Sequence, residues 1–184
     1  MPRVPEIPTM RTTIAALMKD FPRCDNIQSR LLLAIVRVRH LVDQGYSNPL
    51  ARYPLLWVVN VCYLLYVKLL HNCDISSKAL LGAGLRLVHP YNIVIADGVV
   101  IGTNCKILHE VTLGYSSKRG ISGVPQVGDD VEIYVGARLF GPIVIGNRAR
   151  LGANAVVYED IPEDAVVVCQ ITVRQRKGED AGET

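Results

Sequence analysis

The feature that most constrains this chain is a period of six residues. Starting at Ile75, the aliphatic residues Leu81, Leu87, Ile95, Ile101, Ile107, Leu113, Val127, Ile133, Leu139, Ile145, Leu151 and Val157 follow in steps of six. Two steps depart: Leu87 to Ile95 holds two extra residues, and Leu113 to Val127 holds eight. Glycine follows the aliphatic residue at Gly82, Gly102, Gly114, Gly128, Gly146 and Gly152. Such a period matches neither an amphipathic helix nor a hairpin sheet. It matches a parallel β-helix, in which each hexad lays down one short flat face and three faces close a turn. The thirteen hexads make just over four turns.

The repeat divides the chain. Only Gly45 lies among the first 73 residues, and the other fourteen glycines follow. Val and Ile make up 12 of the first 73 residues but 27 of the next hundred, as a narrow bore filled by stacked aliphatics requires. That bore has little room for rings, which accounts for 6% aromatic residues beside 49% hydrophobic ones. The expected organisation is a helical region over 1–73, a β-helix over 74–173 and a frayed charged tail over 174–184. Thr9 caps a helix to about Lys19, stopped by Pro22. Asp25 or Asn26 caps a second over Ile27–Asp43, with Gly45 beyond its end. A third runs from about Leu55 to Leu70, after the breaks at Pro49 and Pro54.

Several classes of function are excluded by composition. With 20 basic and 17 acidic residues, a net charge of +3 gives no argument for nucleic acid. Cys24, Cys62, Cys73, Cys105 and Cys169 are odd in number and scattered, so neither a disulfide framework nor a zinc site follows and reduced cytosolic thiols are expected. The N-terminus, with three prolines by residue 8, does not read as a signal peptide. The most lipid-like stretch, Pro54 to Val67, reaches about 21 Å as a helix, short of a hydrocarbon core of about 30 Å. A buried helix is therefore expected. Arg37, Arg39, Arg52 and Lys68 nearby keep peripheral contact with the inner face of a membrane open.

The register also places chemistry. His89 lies two past Leu87 and His109 two past Ile107, three hexads later. Val135 and Ala153 continue the series, so one face is expected to carry a column His89, His109, Val135, Ala153. At about 4.8 Å per strand the column spans roughly 14 Å, which suits a slender acyl carrier. Asp74 lies fifteen residues before His89. It either caps the start of the first turn or holds the His89 imidazole in one tautomer and raises its basicity. His40 and His71 read as packing or surface residues. Tyr115 to Pro125 must project as a loop, whose Lys118 and Arg119 either bind an anion or are simply solvated. Because only His89 and His109 lie on the turns, no three-histidine metal site forms and no metal is expected.

The run Asp74-Ile75, Val88-His89-Pro90, Ile107-Leu108-His109-Glu110-Val111-Thr112-Leu113-Gly114, Pro125-Gln126-Val127-Gly128, Gly136-Ala137, Gly152-Ala153 and Asp160-Ile161-Pro162 resembles the hexapeptide-repeat acetyltransferases, in their serine O-acetyltransferase-like branch. The likeness covers roughly Asp74 to Val168. It implies a left-handed β-helix, a homotrimer with active sites between subunits, and acetyl transfer from acetyl-CoA to a hydroxyl. It further implies His89 as general base, Asp74 as its carboxylate partner, and Gly114, Val135 and Ala153 along the CoA arm. His109 falls where the family has Gln or His. Serine-specific members carry Asp before the histidine and an Arg-His pair before the loop proline; here stand Val88 and Gly123-Val124. The pattern is closer to exopolysaccharide (colanic-acid-type) acetyltransferases, so a sugar or saccharide precursor is the expected acceptor, in polysaccharide biosynthesis. Serine is the alternative, and a non-catalytic β-helical scaffold the second.

Overall fold

The computed structural model describes residues 8–45, 49–118 and 121–169. The expected tail over 174–184 lies outside them. The hexads form a parallel β-helix. One face stacks Asp74–Ile75, Val94–Ile95, Thr112–Gly114, Arg138–Phe140 and Val156–Val157. The second stacks Leu80–Leu81, Val100–Ile101, Gln126–Val127 and Val144–Ile145, the third Arg86–Val88, Lys106–Leu108, Glu132–Ile133, Arg150–Leu151 and Val166–Val167. The register is the one the period dictates: Leu87 pairs with Ile107, Ile133 with Ile107 and with Leu151. These aliphatics are fully buried, and a second inward set two residues earlier (Cys105, Val111, Val131, Ala137, Ala149) closes the corners.

The solenoid is longer than the period indicates. Ile161 bridges Ile145, and Val167 pairs with Leu151, which completes a fifth turn. The step from Val157 to Ile161 is four residues, so counting in sixes ends two faces early.

The corners need residues with positive φ. At the corner between the third and first faces stand Asn72, Asn92, Glu110, Gly136 and Asn154, with φ between 49° and 70°. Asparagine and glycine enter this left-handed region at low cost.

Helix α1 is Met10–Asp20, with Thr9 at its N-cap in a reciprocal capping box with Thr12. Helix α2 is Ile27–Gly45, and its Ser29 amide donates to Asn26 Oδ1 at 2.8 Å. Helix α3 is Pro49–Cys62 and continues in π geometry over Tyr63–Leu70. It begins six residues before its expected start because Pro49 sits in the first turn, where a missing N–H is tolerated. The expectation of a buried helix is corrected here. Among its described residues only Val59, Tyr63 and Val67, spaced by four, are buried, while Tyr53, Trp57, Val58, Leu64, Leu65 and Leu69 are exposed.

Side chains from the helices satisfy the backbone of the first turn, which has no turn beneath it. Arg37 donates to the carbonyls of Leu81 and Gly82, both at 2.6 Å, and pairs with Asp20 at 3.0 Å. Asp20 Oδ1 accepts the amides of Gly84 and Leu85 at 2.7 and 2.9 Å. His40 Nε2–H donates to the Ser76 carbonyl at 2.8 Å. Tyr63 hydroxyl accepts the Ile75 amide at 2.6 Å and donates to the Ile75 carbonyl at 2.8 Å. A sheet edge that would otherwise be a template for aggregation is thereby covered. Arg37, grouped above with the basic residues that could meet a membrane, is thus a buried structural one.

Burial depresses the His40 imidazole to about 4, below its ordinary 6.5. Between those values the unfolded chain binds a proton that the folded chain refuses, so stability falls as pH drops from 6.5 toward 4 and levels off below. The expected loss from this group is roughly 3 kcal/mol. Denaturant melts across this window, compared with His40→Gln, check it: the slope with pH should flatten in the variant.

Candidate active site

His89 lies where the repeat is interrupted. Counting forward from the Val88–Leu108 pair aligns His89 with His109. Counting back from the Val94–Thr112 pair aligns Tyr91 with His109 instead. The hydrogen bonds decide for Tyr91. The Glu110 amide donates to the Tyr91 carbonyl at 2.8 Å, the Gly136 amide to His109 at 3.2 Å, and the Asn154 amide to Val135 at 2.8 Å. The Asn92 amide likewise donates to the His71 carbonyl at 2.9 Å. The stacked column is therefore His71, Tyr91, His109, Val135, Ala153. The expected column holds for its last three members; His89 and Pro90 are the two inserted residues and stand outside the ladder. The alignment of Asn72, Asn92, Gly136 and Asn154 at one left-handed position carried the signal that counting aliphatics missed.

His89 itself has φ of 50° and an exposed side chain. Its imidazole makes no hydrogen bond to the described residues. The backbone is held in a sparsely populated region while the ring is uncommitted, a combination typical of functional positions. His109 is half-buried, and its Nδ1 is fully buried without a hydrogen-bond partner among the described residues. Such atoms ordinarily find partners, which makes this one an exception among the described residues.

No hydrogen bond joins Asp74 to His89 among the described residues. Asp74 Oδ2 lies 3.2 Å from Lys68 Nζ, and its Oδ1 accepts from the Tyr63 hydroxyl at 3.4 Å. The end of α3 supplies both partners, and the two-residue insertion takes His89 out of the ladder that starts at Asp74. The Lys68–Asp74 pair is largely exposed, so it is worth only about 0–1 kcal/mol and is readily exchanged. Tyr63, buried and already bonded to Ile75, is pushed up to about 12, first by desolvation.

Gly114 ends its strand opposite Phe140; a Cβ there would lie 2.7 Å from the Phe140 ring. Phe140 in turn stacks on Tyr158 with centroids 5.6 Å apart. The expected loop after Gly114 is a hairpin, with Ser116–Lys118 antiparallel to Ile121–Gly123. Lys118 forms the last pair with Ile121; Arg119 lies outside the described residues. The return strand rests on the solenoid: a Cβ on Gly123 would come within 2.9 Å of Pro142 Cβ. His40 and His71 are packing residues, His71 donating from Nδ1 to the Tyr66 carbonyl at 2.8 Å. All five cysteines are free, and no group of three metal-ligating side chains occurs among the described residues.

No family model matches the chain. It is 42% identical to a serine acetyltransferase of Mycobacterium tuberculosis over 103 residues, which are 56% of this chain and 45% of that protein. It is 37% identical to a serine acetyltransferase of Helicobacter pylori over 95 residues, 52% of this chain and 56% of that protein. The chain thus spans about half the length of these curated relatives. Among solved structures, soybean serine acetyltransferase superposes with a TM-score of 0.68 at 31% identity, over 87% of this chain and 66% of that one. Serine acetyltransferase of Neisseria gonorrhoeae gives 0.70 at 28% identity, over 88% and 65%.

Proposed function

We propose that the protein is an acetyl-CoA-dependent O-acetyltransferase. The observation that carries this reading is the uncommitted, exposed His89, set in a strained insertion beside a column that ends in small side chains. In this reaction the acceptor hydroxyl oxygen attacks the thioester carbonyl while His89 takes the hydroxyl proton. The carbon–sulfur bond then breaks, and the leaving thiolate receives that proton to become CoA. Backbone N–H groups near Gly114 stabilise the oxyanion between the two steps. The CoA arm lies along His109, Val135 and Ala153, and Asp74 acts as a positioning residue for His89, released from Lys68. The hairpin bearing Lys118 and Arg119 borders the acceptor.

The acceptor reading follows the relatives described above, which are named serine acetyltransferase, so L-serine comes first. A saccharide hydroxyl is the second reading, favoured by one local observation. Val88 is uncharged, and Gly123 is packed so closely on Pro142 that no side chain fits there without moving the hairpin. A carboxylate clamp is therefore missing from the two places where sequence comparison looks for it. Release of CoA from acetyl-CoA with L-serine, measured beside a panel of sugars, separates the readings. Release with serine supports the first, and release with sugars alone supports the second. If no acceptor releases CoA and none is bound, the scaffold reading replaces both. A homotrimer, expected from resemblance, belongs to this proposal and is read by mass in solution.

A further inference from the structure

We propose that the helical region docks in the plane of an anionic lipid surface through the outer face of α3. Three observations meet there. First, Arg52–Leu70 is apolar enough and, at 19 residues, long enough to be compatible with a bilayer. It is nevertheless fastened to the rest of the protein along Val59, Tyr63 and Val67: this segment packs on α2, Tyr63 and Val67 join the core of the solenoid, and the Tyr63 hydroxyl is bonded to Ile75. Crossing the bilayer would break that seam, whereas lying on it would not. Second, the exposed face consists of Tyr53, Trp57, Val58, Leu64, Leu65 and Leu69, opposite the buried stripe. Trp57 is 71% exposed, and Trp and Tyr are the rings that favour the interface of water and lipid.

Third, charge is divided unequally along the chain. Residues 1–73 contain nine Lys and Arg against four Asp and Glu, a net +5, while residues 74–184 carry eleven against thirteen, a net −2. No acidic residue lies within Pro49–Leu70; its charged side chains, Arg52 and Lys68, stand in partly exposed, exchangeable pairs with Asp43 and Asp74. A second copy meeting this face would bring another +5 region against it. Anionic headgroups attract it instead. Charge therefore favours lipid over self-association as the occupant.

Trp57 is the chain's only tryptophan and reports directly on the face. Full-length protein is mixed with phosphatidylcholine vesicles with or without phosphatidylglycerol, and read by flotation and tryptophan emission. The expected result is flotation with a blue shift on the anionic vesicles, weakened by salt. Leu65→Glu, at a position 57% exposed, should abolish both while leaving the melting temperature and CoA release in solution unchanged. Absence of flotation and shift in the wild type overturns the proposal. So does a blue shift that grows with protein concentration without lipid and gains nothing from vesicles, since a second copy then covers the face. Neither outcome bears on the acetyl-transfer reading, which the soluble assay tests separately.

Discussion

His89→Ala is expected to lower acetyl transfer by roughly 10²–10⁴-fold, the usual contribution of a positioned general base. The loss should fall on kcat, with KM for acetyl-CoA nearly unchanged, because the stretch of the column proposed for the carrier, His109 to Ala153, does not include His89. The insertion keeps its Pro90, and the imidazole makes no hydrogen bond to described residues, so the variant should melt with the wild type. Steady-state kinetics beside a thermal melt therefore separate chemistry from folding. Activity near that of the wild type would remove His89 from the reaction. Asp74→Asn should be the milder variant, since a positioning residue is lost rather than the base.

The second large effect is on stability. Asp20→Ala is expected to cost about 3–5 kcal/mol, as breaking a buried pair from one side does. The Arg37 guanidinium would remain buried without its counter-ion, and the Gly84 and Leu85 amides would lose their acceptor. In a chain of this size that corresponds to a fall in Tm of roughly 6–20 °C. Replacing both residues, as Asp20→Ala with Arg37→Met, should recover part of the loss because the stranded charge goes as well. A single variant that melts with the wild type would show that other contacts, such as Tyr63 with Ile75, seat the helices.

The solenoid was legible because the central inward position of each face holds an aliphatic residue, and their spacing survives two insertions. The first two helices were legible from Thr9 and Asn26 at their starts. What stayed hidden does not repeat. The fifth turn is completed only after a step shortened to four residues, and the hairpin after Gly114 pairs strands of three residues with no aliphatic period. The roles of Asp20 and Arg37 rest on bonds from side chains to backbone 44–65 residues away, which no local pattern encodes. In the column, the sequence period aligned His109, Val135 and Ala153 as the backbone hydrogen bonds do. It misplaced His89, because a two-residue insertion can be read into the ladder from either side. Asp74 pairs where α3 ends, a contact set by the docking of the helix rather than by the repeat.

The register of the solenoid sets a unit in which this protein can change length. Eighteen residues separate Ile133 from Leu151, which pair on the same face one turn apart. Loss or duplication of a whole turn there leaves every later side chain facing as before. A change of a single hexad keeps the bore filled and the strands paired, yet turns everything beyond it by a third of a revolution. Ala153 would then leave the line of His109 and Val135 while the fold stayed intact. Variation in such a chain is quantised: its core tolerates sixes, but its groove tolerates only eighteens.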